Sequence, residues 1–184
     1  MSKKITPIYL VIALLFIQCK EKDTTFLITK DSIGKLLKST DSKDLGNIFT
    51  EDSIVKDTHQ IKLLSSIKKI EIYEKGGVHL LSLTPRINDS SATIKNIRVY
   101  DSRYVTDKGI SINSTFKDIK DNYSIKKILN SLNNVVIFLK ENDMYFTIDK
   151  KELPANLRYS SSTNIEAVQI PDTAKIKYFM IGWD

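Results

Sequence analysis

The stretch Gly34-Lys35-Leu36-Leu37-Lys38-Ser39-Thr40, followed by Lys43-Asp44-Leu45 and Phe49, returns later in the chain as Gly109-Ile110-Ser111-Ile112-Asn113-Ser114-Thr115, with Lys117-Asp118-Ile119 and Tyr123. Glycine, an aliphatic three residues on, Ser-Thr, Lys-Asp-aliphatic and a closing aromatic recur in the same order, with one extra residue in the first copy. The far ends of the copies also match: Ala92-Thr93-Ile94-Lys95-Asn96-Ile97-Arg98-Val99-Tyr100-Asp101 corresponds to the run from Ala174 to Asp184, with Gly182 as the single insertion. A glycine inserted in a strand is the residue expected at a β-bulge. Two matched blocks in one order read as an internal duplication.

Between the matched blocks each copy carries a hairpin signal. Ile70-Glu71-Ile72-Tyr73 and Val78-His79-Leu80-Leu81-Ser82-Leu83 flank the turn Glu74-Lys75-Gly76-Gly77, and Val135-Val136-Ile137-Phe138-Leu139 and Met144-Tyr145-Phe146-Thr147-Ile148 flank Lys140-Glu141-Asn142-Asp143. Apolar and β-branched runs broken by short polar turns predict paired strands, with Pro85 and Pro154 closing the second strand of each pair. Further strands are expected over 53–56 and 124–130. The Lys-Asp blocks predict short helices, N-capped by Asp41 and Thr115, because Leu45, Ile48 and Phe49 share one helical face, as do Phe116, Ile119 and Tyr123. The expected fold class is therefore α+β: two tandem units, 31–104 and 105–184, each a short helix packed on an antiparallel meander of about four strands. One helix covers only one face of a sheet, so the other face of each unit is expected to meet water or a partner.

The chain has 184 residues, 41% of them hydrophobic, which suffices for a packed core and excludes wholesale disorder. Its formal net charge is +6, from 28 basic and 22 acidic residues. Only Arg86, Arg98, Arg103 and Arg158 are arginine, and the lysines are scattered among acids. A nucleic-acid partner is not expected, because phosphate-clamping and base-reading surfaces lean on the bidentate arginine fork. One cysteine excludes an internal disulfide framework and a thiolate metal cluster.

That cysteine ends a secretion signal. Lys3 and Lys4 precede an apolar run over 5–17 that closes on Phe16-Ile17-Gln18-Cys19. Thirteen helical residues reach about 20 Å, short of the roughly 30 Å hydrocarbon core, so the segment reads as a signal peptide over 1–18. Its end resembles the lipidation site of bacterial lipoproteins, in which cleavage before the cysteine is accompanied by acylation of its thiol. Cys19 is thus the expected lipid anchor, with 19–30 as anchor and tether. The charged run Lys20-Glu21-Lys22-Asp23 lacks an acidic residue directly after the cysteine. By that resemblance the expected address is the outer membrane, on its periplasmic or external side. Cleavage removes Lys3 and Lys4 and leaves a body of net charge +4.

Over 34–184 the tandem Gly-x-x-aliphatic-x-Ser-Thr…Lys-Asp-aliphatic elements, each before an antiparallel meander and behind a lipoprotein signal, resemble two groups. One is the small lipoprotein of the outer-membrane β-barrel assembly machinery, and the other is the β-lactamase-inhibitor-protein type of tandem α/β unit. The layout is closest to uncharacterised tandem-unit lipoproteins of Gram-negative bacteria. The resemblance implies a non-enzymatic protein that binds other proteins through sheet faces or loops.

Catalytic signals are sparse. His79 falls in an expected strand and His59 in a polar stretch, neither at metal-ligand spacing from another His or Cys, and no nucleophile-elbow, zinc-protease, P-loop or dinucleotide fingerprint occurs. Asp89, Asp101 and Asp107 flank loops, and nothing pairs two carboxylates for acid–base work. No catalytic residue, metal or cofactor is expected. Strand alternation places Tyr145 with Thr147, opposite Met144, Phe146 and Ile148, and sets Lys175, Lys177 and Phe179 against Ile176, Tyr178 and Met180 until Gly182 shifts the phase. Tyr145, Tyr178 and Trp183 are the candidate interface patch, since Tyr and Trp favour interfaces. The expected function is a lipid-anchored envelope binding or scaffolding module whose partners are the membrane, through its anchor, and another envelope protein. The alternative is an inhibitor or regulator of an envelope hydrolase.

Overall fold

The computed structural model describes residues 23–56, 69–86, 92–159 and 164–183. Cys19 and the signal segment, His59, Asp89 and Asp184 lie outside the described residues. No described helix is long and apolar enough to cross a membrane.

The elements run in chain order as β1 (Leu27–Ile28), β2 (Ser32–Ile33), β3 (Leu36–Leu37), α1 (Leu45–Ile48), β4 (Ser53–Lys56), β5 (Ile70–Tyr73), β6 (His79–Pro85), β7 (Ile94–Val99), β8 (Val105–Thr106), α2 (Phe116–Asn122), β9 (Ile125–Asn130), β10 (Asn134–Leu139), β11 (Met144–Asp149), α3 (Ala155–Arg158) and β12 (Ile176–Gly182), with 3-10 turns at Lys150–Glu152 and Ala167–Gln169. β1, β2, β3 and β8 form a small sheet in the order β3-β2-β1-β8. The remaining strands form one eight-stranded sheet in the order β4-β5-β6-β7-β12-β11-β10-β9.

This architecture corrects the expected α+β fold of two tandem helix-on-meander units. The described chain is mostly β, with twelve strands in two sheets and three helices of four, seven and four residues. A free meander would leave β7 and β12 each with a row of unpaired backbone groups. Pairing those strands antiparallel, with Val99 opposite Phe179 and Ile97 opposite Ile181, satisfies both rows and fuses the meanders into one sheet. The core follows the fusion. One cluster joins Ile72, Leu81, Leu83, Ile97 and Val99 to Phe146, Phe179, Ile181 and Trp183, and takes Ile28, Ile33 and Leu36 from the small sheet. The small sheet therefore supplies cover that had been assigned to a helix, since α1 itself buries only Leu45. A second cluster gathers Phe116 of α2 with Val135, Ile137 and Ile148 and with Leu153, Leu157, Ile165 and Ile170 from the long segment before β12.

The two helices start differently. Thr115 closes a capping box: its side chain accepts from the Asp118 amide, and the Asp118 carboxylate accepts from the Thr115 amide at 2.7 Å. The Thr115 amide bond is the first cause holding the Asp118 carboxyl below the ordinary carboxylate range. Before α1 the cap position is Asp44, which makes no side-chain cap bond, and Asp41 instead accepts from the Lys43 amide at 2.9 Å. Thr115→Ala is expected to cost about 1 kcal/mol, whereas Asp44→Ala removes no cap bond and should be near neutral. Urea midpoints of the two variants check this, and equal losses would contradict the asymmetry.

Candidate functional site

Both core clusters draw on one face of the eight-stranded sheet. The other face contributes no residue to either cluster. Across it runs an unbroken register, one residue per strand: Val55, Glu71, Ser82, Arg98, Met180, Tyr145, Phe138 and Lys127. Seven interstrand gaps of about 4.8 Å make this row about 34 Å wide. A second row beside it carries Tyr73 and His79 at one end and Tyr178, Thr147, Val136 and Leu129 at the other.

A β-bulge sets the left half of the face. Ile72 lies opposite Leu81 and Tyr73 opposite His79, so Leu80 is the extra residue. Leu80 and Leu81 are both core, and the phase flips at His79, which strict alternation with Leu81 and Leu83 would have pointed inward. His79 instead stacks between two tyrosines, 4.5 Å from the Tyr73 ring and 3.7 Å from the Tyr100 ring, at interplanar angles of 22° and 21°. Its Nε2 lies 2.9 Å from Glu71 Oε2, and Ser82 Oγ donates to Glu71 Oε1 at 3.0 Å. The histidine is paired within the sheet, and the Ser82 hydroxyl meets Glu71 rather than the imidazole.

The stack continues into a cation. The Arg98 guanidinium carbon sits 4.5 Å from the centre of the Tyr100 ring and 4.0 Å from that of Tyr178. Guanidinium over an aromatic face is attracted by the ring quadrupole, and the stack holds the side chain in place. Among the described residues the guanidinium has no hydrogen-bond acceptor and no ion-pair partner. Burial raises the Tyr100 phenol above its ordinary pKa, and Arg98 partly offsets this, so the hydroxyl stays protonated at neutral pH.

A second bulge sets the right half. Tyr178 pairs with Thr147 and Ile176 with Ile148, which leaves Lys177 as the extra residue of β12. The phase shift thus falls at Lys177, not at Gly182, which stays in register opposite Asn96. Ile176, Phe179 and Ile181 all reach the core as a result, and Tyr178 and Met180 face outward. Lys177 Nζ donates to Asp149 Oδ2 at 2.9 Å and to Asn134 Oδ1 at 3.1 Å. Asp149 is held below the usual carboxylate range by the Lys151 amide first and by Lys177 second. Phe138 stacks on Tyr145 at 5.3 Å, with Lys127 Nζ 4.7 Å above the Phe138 ring.

Of the three candidate patch residues, the sheet keeps two together. Tyr145 and Tyr178 are half-buried on the outer face, as diagonal neighbours across β11 and β12. Trp183 leaves the patch: alternation runs undisturbed through Gly182, so Trp183 follows Phe179 and Ile181 inward and is 0% exposed. Its Nε1 is buried without a partner among the described residues. His79, weighed from sequence only as a catalytic or metal-binding candidate, joins the face, as do Arg98, Tyr73, Tyr100 and Phe138, which were not singled out as site residues. Their one sequence signal is a polar or aromatic residue alternating with buried aliphatics, as at Ile97-Arg98-Val99.

No family model and no curated protein matches the chain. Its backbone is similar to the crystal structure of the uncharacterized protein yfeY from Escherichia coli, with a TM-score of 0.54 and 14% sequence identity over 84% of this chain and 98% of that one. The likeness is one of fold. At that identity it carries no residue of the yfeY surface onto the Arg98 face, which must be read from its own chemistry.

Proposed function

We propose that this protein is a lipid-anchored lipoprotein of the outer membrane that acts as a non-enzymatic binding module, holding another envelope protein on the outer face of its eight-stranded sheet. The observation that carries the reading is Arg98, fixed between Tyr100 and Tyr178 with its donors unmatched in the middle of an aromatic row. Arginine and tyrosine are the side chains that most often dominate interface energies, because they bring a large rigid contact area together with directed donors. An arginine prearranged by stacking loses little freedom on meeting a carboxylate, so an acidic side chain of the partner is its natural counterpart. Seven residues lie between Cys19 and Leu27, so eight Cα–Cα steps, at most about 28 Å of extended chain, join them. Acylation at Cys19 keeps the start of β1, in the small sheet, within that reach of the membrane surface.

The test places a photo-crosslinking amino acid at Tyr145, at Tyr178 and, as a control, at Val168, which is 87% exposed on the 3-10 turn before β12. Irradiated cells are expected to give one adduct of discrete mass from the two sheet positions, none from Val168, and a loss of the adduct when Arg98→Ala is added. No sheet adduct, or an equal one from Val168, refutes the face as the binding surface. Labelled palmitate should enter the chain and be lost in Cys19→Ala; an unlabelled, soluble wild-type protein rules out the anchor.

A further inference from the structure

The eight-stranded sheet ends at β4 on one side and at β9 on the other, and the small sheet ends at β3 and β8. Of these edges β9 is the longest, with six residues against four in β4 and two each in β3 and β8. Among the described residues, no backbone group of 125–129 bonds outside the β10 ladder. Such an edge offers an extended chain a row of unpaired N–H and C=O groups about 20 Å long. The run Ile125-Lys126-Lys127-Ile128-Leu129-Asn130 holds neither proline nor glycine, so nothing in it obstructs a further ladder.

A bulge decides what this edge presents. Leu139 lies opposite Ile125 and Phe138 opposite Lys127, so Lys126 is the extra residue. Ile125 and Ile128 keep to the inner side, packed against the second core cluster. Lys126 and Lys127 are therefore both left outside, side by side and exposed. Lys127 sits over the Phe138 ring, and neither ammonium has an ion-pair partner among the described residues. From Ser124 to Leu132 the chain carries no acidic side chain, and Glu141, in the β10–β11 turn, is turned onto the Ser124 amide at 2.9 Å. A second copy pairing through β9 would bring the two lysine pairs together, and like charges opposed across a ladder repel. An acidic strand meets the opposite sign on the same edge.

We propose that β9 is a docking edge for an extended acidic segment of a partner protein, which adds to the eight-stranded sheet as a further strand. Backbone hydrogen bonds to the edge supply affinity, and side-chain alternation supplies the choice of partner. One alternate set of the segment's side chains lies beside Lys126 and Lys127 and is acidic. The other set lies beside Ile125 and Ile128 and is apolar. The edge is four strands from Arg98, and the proposal needs neither that residue nor the lipid anchor.

Fluorescence anisotropy of the purified full chain with a labelled, end-blocked peptide of alternating glutamate and valine is expected to show saturable binding that weakens as salt is raised. The lysine–valine counterpart should not bind. Lys126→Glu combined with Lys127→Glu should weaken the acidic peptide about tenfold, as two ion pairs give way to repulsion, and should admit the lysine–valine peptide instead. Thermal melts check that the double variant folds as the wild type does. A strand turns alternate amides to each side, so methylating one alternate set of peptide nitrogens should abolish binding and methylating the other should leave it. Failure of the acidic peptide to bind, equal binding of the lysine–valine peptide, or equal effects of the two methylated sets each overturns the proposal. A chain that sediments as a dimer and does not take up the acidic peptide assigns the edge to a second copy, which overturns it as well.

Discussion

Phe179→Ala is expected to lower the stability of the protein by about 3 to 5 kcal/mol, the range for deleting a buried aromatic ring, and to lower Tm by roughly 6 to 20 °C at this chain size. Phe179 is 0% exposed, lies opposite Val99 across the β7–β12 pair and packs against Phe146 at 4.7 Å between ring centres. It belongs to the cluster that also holds Ile72 and Leu81 from the far half of the sheet. The cavity it leaves is therefore shared by both four-strand runs. Calorimetry should show one transition displaced to lower temperature. Two separated transitions, with the first half melting at the wild-type temperature, would contradict a core that crosses the seam. Val168→Ala, at a side chain that is 87% exposed, serves as the control and should leave Tm nearly unchanged.

Gly34→Ala is expected to cost about 3 kcal/mol, against about 1 kcal/mol for Gly109→Ala, the ordinary penalty for a side chain in the left-handed region. The two glycines occupy matching places in the repeated sequence and both have positive φ, +54° and +81°. Their surroundings differ. A Cβ at Gly34 would lie 2.2 Å from the Thr25 carbonyl oxygen, whereas a Cβ at Gly109 meets nothing within 4 Å. The obstacle at Gly34 is backbone, so no rotamer change relieves it, and the Gly34 amide is tied to the Leu27 carbonyl at 2.8 Å. Relief requires β1 and β2 to separate, which uncovers Ile28 and Ile33. Guanidinium unfolding midpoints of the two variants provide the comparison, and equal losses would show that backbone conformation alone accounts for both.

Much of the strand inventory was legible in the chain. The runs at Ile70, Val135 and Met144 are apolar and β-branched stretches broken by turn-forming residues, and they became β5, β10 and β11 nearly to the residue. Alternation gives a period, however, and not an absolute phase. The extra residues at Leu80 and Lys177 reset the phase in mid-strand, which moved His79 outward and Phe179 inward, and Gly182, the expected site of such a reset, made none. Arg98 was legible only as one of four arginines. Its importance comes from Tyr100 beside it and from Tyr178, eighty positions along the chain, which comes alongside only when β7 pairs with β12.

The sequence by itself determined where the strands of the eight-stranded sheet form, the N-cap at Thr115 and the matched order of the two halves, because each depends on neighbours a few residues apart. The tertiary structure alone decided that the halves share one sheet, that a small sheet rather than two helices covers the core, and that Trp183 is interior while Arg98 is not. Those outcomes turn on edge pairing and bulge placement, which set backbone groups far apart in the chain against each other, and no local pattern of residue types encodes that choice.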